Sequence, residues 1–325
     1  MKRFGMALAM ILPVVAAVAL GFSLVTTSHA LPRRPGHLGS PPQSVPADTA
    51  ACTSRSPATP FVGVAVNPPV KPAVAEFKNA VKVRPGLVEL YLAFGSSFRA
   101  SSAGQVVESG AMPLVQINLY NVHVADIAAG KWDHYLRRFA ASVRAFKCQV
   151  ALSLGHEMNG IWYPWGYSHL KPSVFVSAWR HIVDVFRSQQ AGNVTWVWTV
   201  NVRSRWSPSP VDWWPGSSYV DWIGIDGYYR TKRQTYNSMF APTVRIVRGL
   251  SSTKPAFIAE TAVSPSALPS AQLQDLFSSV RMNHLTGFVW FNVVAKDDWL
   301  VQDDPAVQRV FGKDAGRYFG ISGTP

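Results

Sequence analysis

The chain has 325 residues, 48% hydrophobic and only 15% charged, with a formal net charge of +13 and two cysteines. So apolar a composition excludes an intrinsically disordered chain, and two cysteines exclude a disulfide-dense miniprotein. The basic residues, among them Arg137, Arg138, Arg144, Lys147, Arg180, Arg187, Arg203 and Arg205, are dispersed and form no nucleic-acid motif, so no nucleic-acid partner is expected.

Residues 1–30 read as an export signal. Lys2 and Arg3 precede an apolar run over about 6–25, and Ser28 and Ala30 are small residues placed for cleavage after Ala30. The run also approaches the ~20 residues that span a bilayer, so an uncleaved membrane anchor is the alternative reading. Either way the remainder lies outside the cytosol, secreted or loosely associated with a cell wall or membrane, where positive charge favours acidic polymers. Residues 31–58, rich in Pro, Ser, Arg and Ala, read as a flexible linker. Cys52 precedes the first expected strand and Cys148 the fourth, so both belong at the same end of a barrel. Bridged and free thiols both stay open at this point. Neither cysteine has a second Cys or His at metal-ligand spacing.

From 59 to 320 the chain alternates apolar runs with amphipathic stretches. The runs cover 61–66, 87–94, 112–119, 149–154, 194–200, 220–225, 254–259 and 287–291, nearly continuous in Val, Ile, Leu, Phe and Trp, as strands buried on both faces should be. Between them, Trp132, Tyr135, Leu136, Phe139, Val143 and Phe146 recur at helical spacing, as do Phe175, Trp179, Ile182, Val183 and Phe186, then Leu273, Leu276, Phe277 and Val280. Eight such units predict an α/β fold of the (β/α)8 TIM-barrel type. A doubly wound sheet usually opens on a Gly-rich turn, whereas Asn67-Pro68-Pro69 follows the first strand here.

In a barrel the chemistry sits where strands end. The fourth run ends in Gly155-His156-Glu157-Met158-Asn159-Gly160, and the seventh in Ile258-Ala259-Glu260-Thr261. Two carboxyl groups facing each other across a barrel mouth are the requirement for glycosidic cleavage, one protonating the leaving oxygen and the other attacking the anomeric carbon. Glu157 is the expected acid/base and Glu260 the expected nucleophile. A zinc helix would need a second His four residues after His156, where Gly160 stands, so no metal is expected. Trp162, Tyr228 and Trp290 are placed at the mouth as sugar-stacking rings, whereas Trp179, Trp196 and Trp222 are assigned to the core.

The segments GHEMNGIWYPWG, DWIGIDGYY, PAFIAET and GFVWFN resemble the signature segments of family 26 glycoside hydrolases, in the right order and over about residues 60–315. The resemblance implies a retaining barrel enzyme, mostly an endo-β-1,4-mannanase, with mixed-linkage β-glucanases and β-1,3-xylanases as alternatives. It implies that His156 borders the sugar at the scissile position, Tyr228 hydrogen-bonds the nucleophile, Trp290 floors the same subsite and Trp162 lines the leaving-group side. No cofactor is implied, the partner is a polysaccharide, and a monomer is expected. Two positions depart from the pattern. Ser153 stands where many relatives carry Arg, which is expected to raise the pKa of the nucleophile. Gln116-Ile117-Asn118-Leu119-Tyr120 replaces a Trp-Glu-Pro turn. Those departures and the basic charge motivate a rival reading, a non-catalytic carbohydrate-binding barrel.

Overall fold

The computed structural model describes residues 52, 60–295 and 299–320; the expected export signal and all of the expected linker except Cys52 lie outside the described residues. The eight apolar runs form strands β1 (Phe61–Ala65), β2 (Leu87–Ala93), β3 (Met112–Asn118), β4 (Val150–Leu154), β5 (Val194–Asn201), β6 (Trp222–Asp226), β7 (Ala256–Thr261) and β8 (Gly287–Phe291). All neighbours are parallel, and β8 pairs with β1 to close the barrel. The outer layer comprises α1 (Val70–Val81), α2 (Ala100–Glu108), α3 (Val124–Ala128), α4 (Asp133–Phe146), α5 (Pro172–Ser188), α6 (Tyr236–Met239), α7 (Ala241–Leu250), α8 (Pro269–Met282) and α9 (Pro305–Phe319). One crossover departs from the alternation. Between β5 and β6 the chain makes only two 3₁₀ turns, Pro210–Trp213 and Ser217–Tyr219.

Helix faces follow from residue spacing. Leu136, Phe139, Ala140 and Val143 of α4, three or four apart, are buried. Helix α5 opens on Pro172, whose missing N–H is no loss in a first turn. Aromatic rings from α8 and α9 fill the layer outside β8, with Phe277 5.7 Å from Phe311 and 4.9 Å from Phe288.

Register decides which side chains enter the barrel. Tyr91 pairs with Gln116, Glu89 with Leu114, and Asn201 with Asp226, so these point to one interior face. Low in the barrel, the rings of Phe61, Trp222 and Phe257 form an apolar floor, with Phe257 5.6 Å from Phe61 and 5.9 Å from Trp222. One irregularity matters for the site. Ile225 pairs with Ile258 but Asp226 with Glu260, so β7 carries one extra residue, Ala259. A bulge of this kind re-aims the next side chain. Phe257 and Ala259 share the interior face, and strict alternation would send Glu260 outward. The bulge brings it inward beside Asp226.

The sulfurs of Cys52 and Cys148 are bonded, tying the segment ahead of β1 to the start of β4 across 96 residues of sequence. Among the described residues no helix is long and apolar enough to cross a membrane. Closing so long a loop restricts the unfolded chain, and loss of a native bridge typically costs about 2–5 kcal/mol. Cys148→Ser is therefore expected to lower unfolding stability by about that amount in urea titration, and reductant to do the same to the unsubstituted protein but not to the variant.

Candidate active site

The chain leaves β4 through a tight turn. Gly155 adopts φ +51°, and a Cβ there would lie 2.9 Å from Leu119 Cδ1 and 3.1 Å from the Trp165 ring. Glu157 itself has φ +53°, a region that non-glycine residues occupy at a cost of about 1–3 kcal/mol and that clusters at functional sites. Its N–H is held by the Thr199 carbonyl at 2.9 Å. The aromatic loop that follows is mostly a clamp. Trp165 donates to the His156 carbonyl at 2.9 Å, and Tyr163 stacks on Trp165 at 4.3 Å. Trp162 alone of the three turns back to the carboxyl. It does so over Gly160, where a Cβ would sit 2.4 Å from its ring.

The Glu157 carboxyl accepts from Trp162 Nε1 at 2.5 Å through Oε2, and from Asn201 Nδ2 at 2.6 Å through Oε1. Asn201 is fixed in turn. Its N–H reaches Asn159 Oδ1 at 2.8 Å, and its Oδ1 receives Ser207 Oγ at 3.2 Å. Glu260 is held by two phenols. Tyr91 Oη donates to Oε1 at 2.9 Å, and Tyr228 Oη makes a short bond to Oε2. Both carboxyls are almost wholly buried, Glu157 at 3% exposure and Glu260 at 1%.

Burial and like charge set the protonation states. Desolvation, then the charge of Glu260, push the Glu157 carboxyl up to about 8, against the Asn201 and Trp162 hydrogen bonds and the distant pull of Arg230. Desolvation also raises Glu260, but Tyr228, Tyr91 and Gln116 oppose it. The direction matches the one expected from Ser153 in place of Arg, but its cause is burial. Ser153 is buried and engaged with Thr199 Oγ1 at 2.9 Å. Glu89 and Asp226, both wholly buried, complete a group of four acids. Burial first, and then the charge of Glu260, hold each of these two well above the usual carboxylate range.

His156 is buried and neutral, its pKa pushed down to about 3 by desolvation, with Nε2 3.0 Å from Tyr163 Oη. One ligand atom from each of His156, Asp226 and Glu260 lies within 4.8 Å of the others. These are the residues that could approach a cation, but the phenolic protons of Tyr91 and Tyr228 already occupy both Glu260 oxygens.

The expected residues are thus brought together with one exception. Glu157, Glu260, Trp162 and Tyr228 meet as anticipated, and His156 lies beside them. Trp290 does not. It is 2% exposed, packs 5.3 Å from Phe311 of α9, and donates to the Trp299 carbonyl at 3.0 Å. Strand alternation gives it, with Phe288, the outer face of β8, whereas Phe291 turns inward, 6.3 Å from Tyr91 and 5.7 Å from Tyr228. Sequence reasoning missed Tyr91, Asn201, Asp226 and Glu89. Asp226 and Asn201 end their strands, so the rule that found Glu157 and Glu260 near strand ends finds them too. Glu89 and Tyr91 lie within the run 87–94.

The raised Glu157 carboxyl has a consequence for stability. In the unfolded chain it titrates near 4.5 and in the folded one near 8, so between these pH values the native state holds a proton that the unfolded state has released. Stability must then fall as pH rises through that window. Glu157→Gln removes this dependence, so the variant should gain in melting temperature relative to the unsubstituted protein on going from pH 5 to pH 8. A pH-independent difference would contradict the assignment.

Comparison with known proteins now adds to this geometry. Residues 132–311 match the model of glycosyl hydrolase family 26. Endoglucanase H of Acetivibrio thermocellus is 28% identical over 265 residues, 76% of this chain but 29% of that protein. Mannan endo-1,4-beta-mannosidase A and B of Caldalkalibacillus mannanilyticus is 29% identical over 96 residues, covering 26% of this chain and 18% of that one. The chain therefore spans less than a third of the length of either relative. Among solved structures, a modular endo-beta-1,4-mannanase from Cellulomonas fimi superposes with TM-score 0.62 at 14% identity, over 80% of this chain and 71% of its own. A Bacillus subtilis mannanase does so with TM-score 0.62 at 16% identity, over 83% and 91%. With the family match extending over more than half its length, the chain belongs to glycosyl hydrolase family 26.

Proposed function

We propose that the protein is a retaining glycoside hydrolase acting within a β-linked polysaccharide chain, with β-1,4-mannan as its substrate. The observation that carries this reading is the unequal treatment of two carboxyls in one dry pocket. Glu157 is driven toward the neutral acid, and Glu260 is kept available as an anion by two phenolic donors. A pair separated in this way divides the work of acid and nucleophile. Glu260 attacks the anomeric carbon as the glycosidic C–O bond breaks, and Glu157 passes its proton to the departing oxygen. Glu157, now a base, takes a proton from water as that water displaces Glu260 from the sugar. Tyr228 and Tyr91 hold the nucleophile in place and draw off charge as it becomes an ester and then a leaving group. Asn201 and Trp162 orient the acid.

Mannan is favoured by the names of two relatives. A second reading, a β-glucan, is supported by the much longer alignment with Endoglucanase H. Export is part of the proposal, and the bridge between Cys52 and Cys148 suits an oxidising compartment.

Release of reducing ends from mannan, glucomannan, lichenan and β-1,3-xylan decides among the substrates; binding without release on all four would favour the carbohydrate-binding alternative. Glu260→Ala is expected to abolish turnover with an unchanged circular dichroism spectrum. Glu157→Ala is expected to lose most activity and to recover part of it with azide. The first-formed anomer, followed by NMR, should keep the β configuration. Because turnover needs Glu157 protonated, kcat/KM should decline as pH rises through about 8. A plateau extending beyond pH 10 would contradict the acid role.

A further inference from the structure

A cavity of about 540 Å³ opens beside Glu260 and continues away from it. That volume lies within the range of small-molecule sites, roughly 300–1,000 Å³. Its lining includes Glu260, Tyr91 and Asn118 but none of Glu157, Trp162 and Asn201. This asymmetry orients it. On the proposed reading of the site, on which this inference rests, the leaving group lies on the side of the acid Glu157. The cavity therefore belongs to the glycone, the part of the substrate that becomes attached to Glu260.

The lining changes character with depth. Tyr91 faces into the barrel, and its strand neighbours Leu90 and Leu92 point the opposite way, toward α2. Both line the cavity, together with Val115 of β3 and with Phe98 and Ala103 beside or on α2. The space therefore runs from the barrel mouth past the end of β2 into the layer between sheet and helix. Polar side chains, Asn67, Arg99, Ser102 and Asn121 among them, also line the cavity, but the stretch walled by Leu90, Leu92, Val115, Phe98 and Ala103 offers a sugar hydroxyl no side-chain partner, and burying unpaired hydroxyls there is unfavourable. The matching ligand is a sugar on one side and a hydrocarbon on the other.

We propose that this cavity binds an apolar acyl group esterified to the glycone, so that the enzyme prefers acylated polysaccharide chains. A free lipid is a poorer fit, because the cavity opens beside the reacting carboxylate and its occupant is held through the sugar. A lipid carried at the reducing end of a glycan would lie on the Glu157 side and would miss the cavity.

The test is initial-rate kinetics with mannotetraose and cellotetraose, each plain and each carrying one ester on a hydroxyl of the glycone, octanoyl in one series and cinnamoyl in another. Acylation in either series is expected to raise kcat/KM about tenfold or more, mainly through KM, since a few buried methylenes suffice for that. Octanoyl and cinnamoyl together distinguish an aliphatic from an aromatic source of the group. Ala103→Phe and, as a milder filling of the same space, Ser102→Leu should bring the ratio of esterified to plain substrate close to one. Melting temperatures establish that both variants fold. Equal kcat/KM for plain and esterified substrates in both series overturns the proposal, as does a ratio that survives both filled variants. If no tetrasaccharide is cleaved, plain or esterified, the glycosidase reading fails separately. Calorimetric titration of the same compounds then decides the cavity, with tighter binding of the ester supporting it and equal or absent binding overturning it.

Discussion

The site depends on one constraint: two carboxyl groups, each almost wholly buried, lie close enough that the charge of one acts on the other. In so buried a setting a second negative charge is strongly disfavoured, so burial raises both carboxyls and the charge of Glu260 raises Glu157 further. Glu260 receives two phenolic O–H groups, which favour its anion. Glu157 receives two N–H groups and still ends near 8, because burial and its neighbour's charge outweigh them. Glu89 and Asp226 lie under the same pressure. Desolvated and close to the pair, they are themselves driven toward the neutral form, and they contribute shape and hydrogen-bonding capacity rather than charge.

The barrel supplies this arrangement by two separate devices. On the Glu157 side that left-handed residue follows a left-handed glycine, Gly155, two positions earlier, and the aromatic loop closes over both with ring stacking and a bond to the His156 carbonyl. On the Glu260 side the backbone stays extended and gains a residue. The bulge at Ala259 turns Glu260 inward and lines it up with Asp226. The two devices place strain and irregularity at the ends of β4 and β7, and the apolar floor of Phe61, Trp222 and Phe257 remains regular.

The two sides also differ in what surrounds them. The Glu157 carboxyl is held by the amide of Asn201 and the indole of Trp162. Glu260 borders a cavity walled in part by Leu90, Leu92, Val115 and Phe98. That difference gives the pocket a direction. It follows from β2, where one strand presents Glu89 and Tyr91 to the barrel and Leu90 and Leu92 to the helices.

Much of this was legible in the sequence. Continuous apolar runs have one stable use in alternation with amphipathic helices, so strand number, order and closure were readable, as were the carboxylates that follow β4 and β7. Trp162 and Tyr228 were found because they stand a few residues beyond strand ends. What the chain could not disclose is side-chain direction wherever alternation is broken or counted from an uncertain start. Trp290 looked like a mouth residue and faces α9, and Glu260 faces inward only because Ala259 is inserted ahead of it. Tyr91 and Asn201 became partners of the two carboxyls through register between strands far apart in sequence, and Cys52 met Cys148 in the same way. Composition and periodicity record what each residue prefers to be buried in; only the closed barrel, by fixing register and bulge together, decides which residues it meets there.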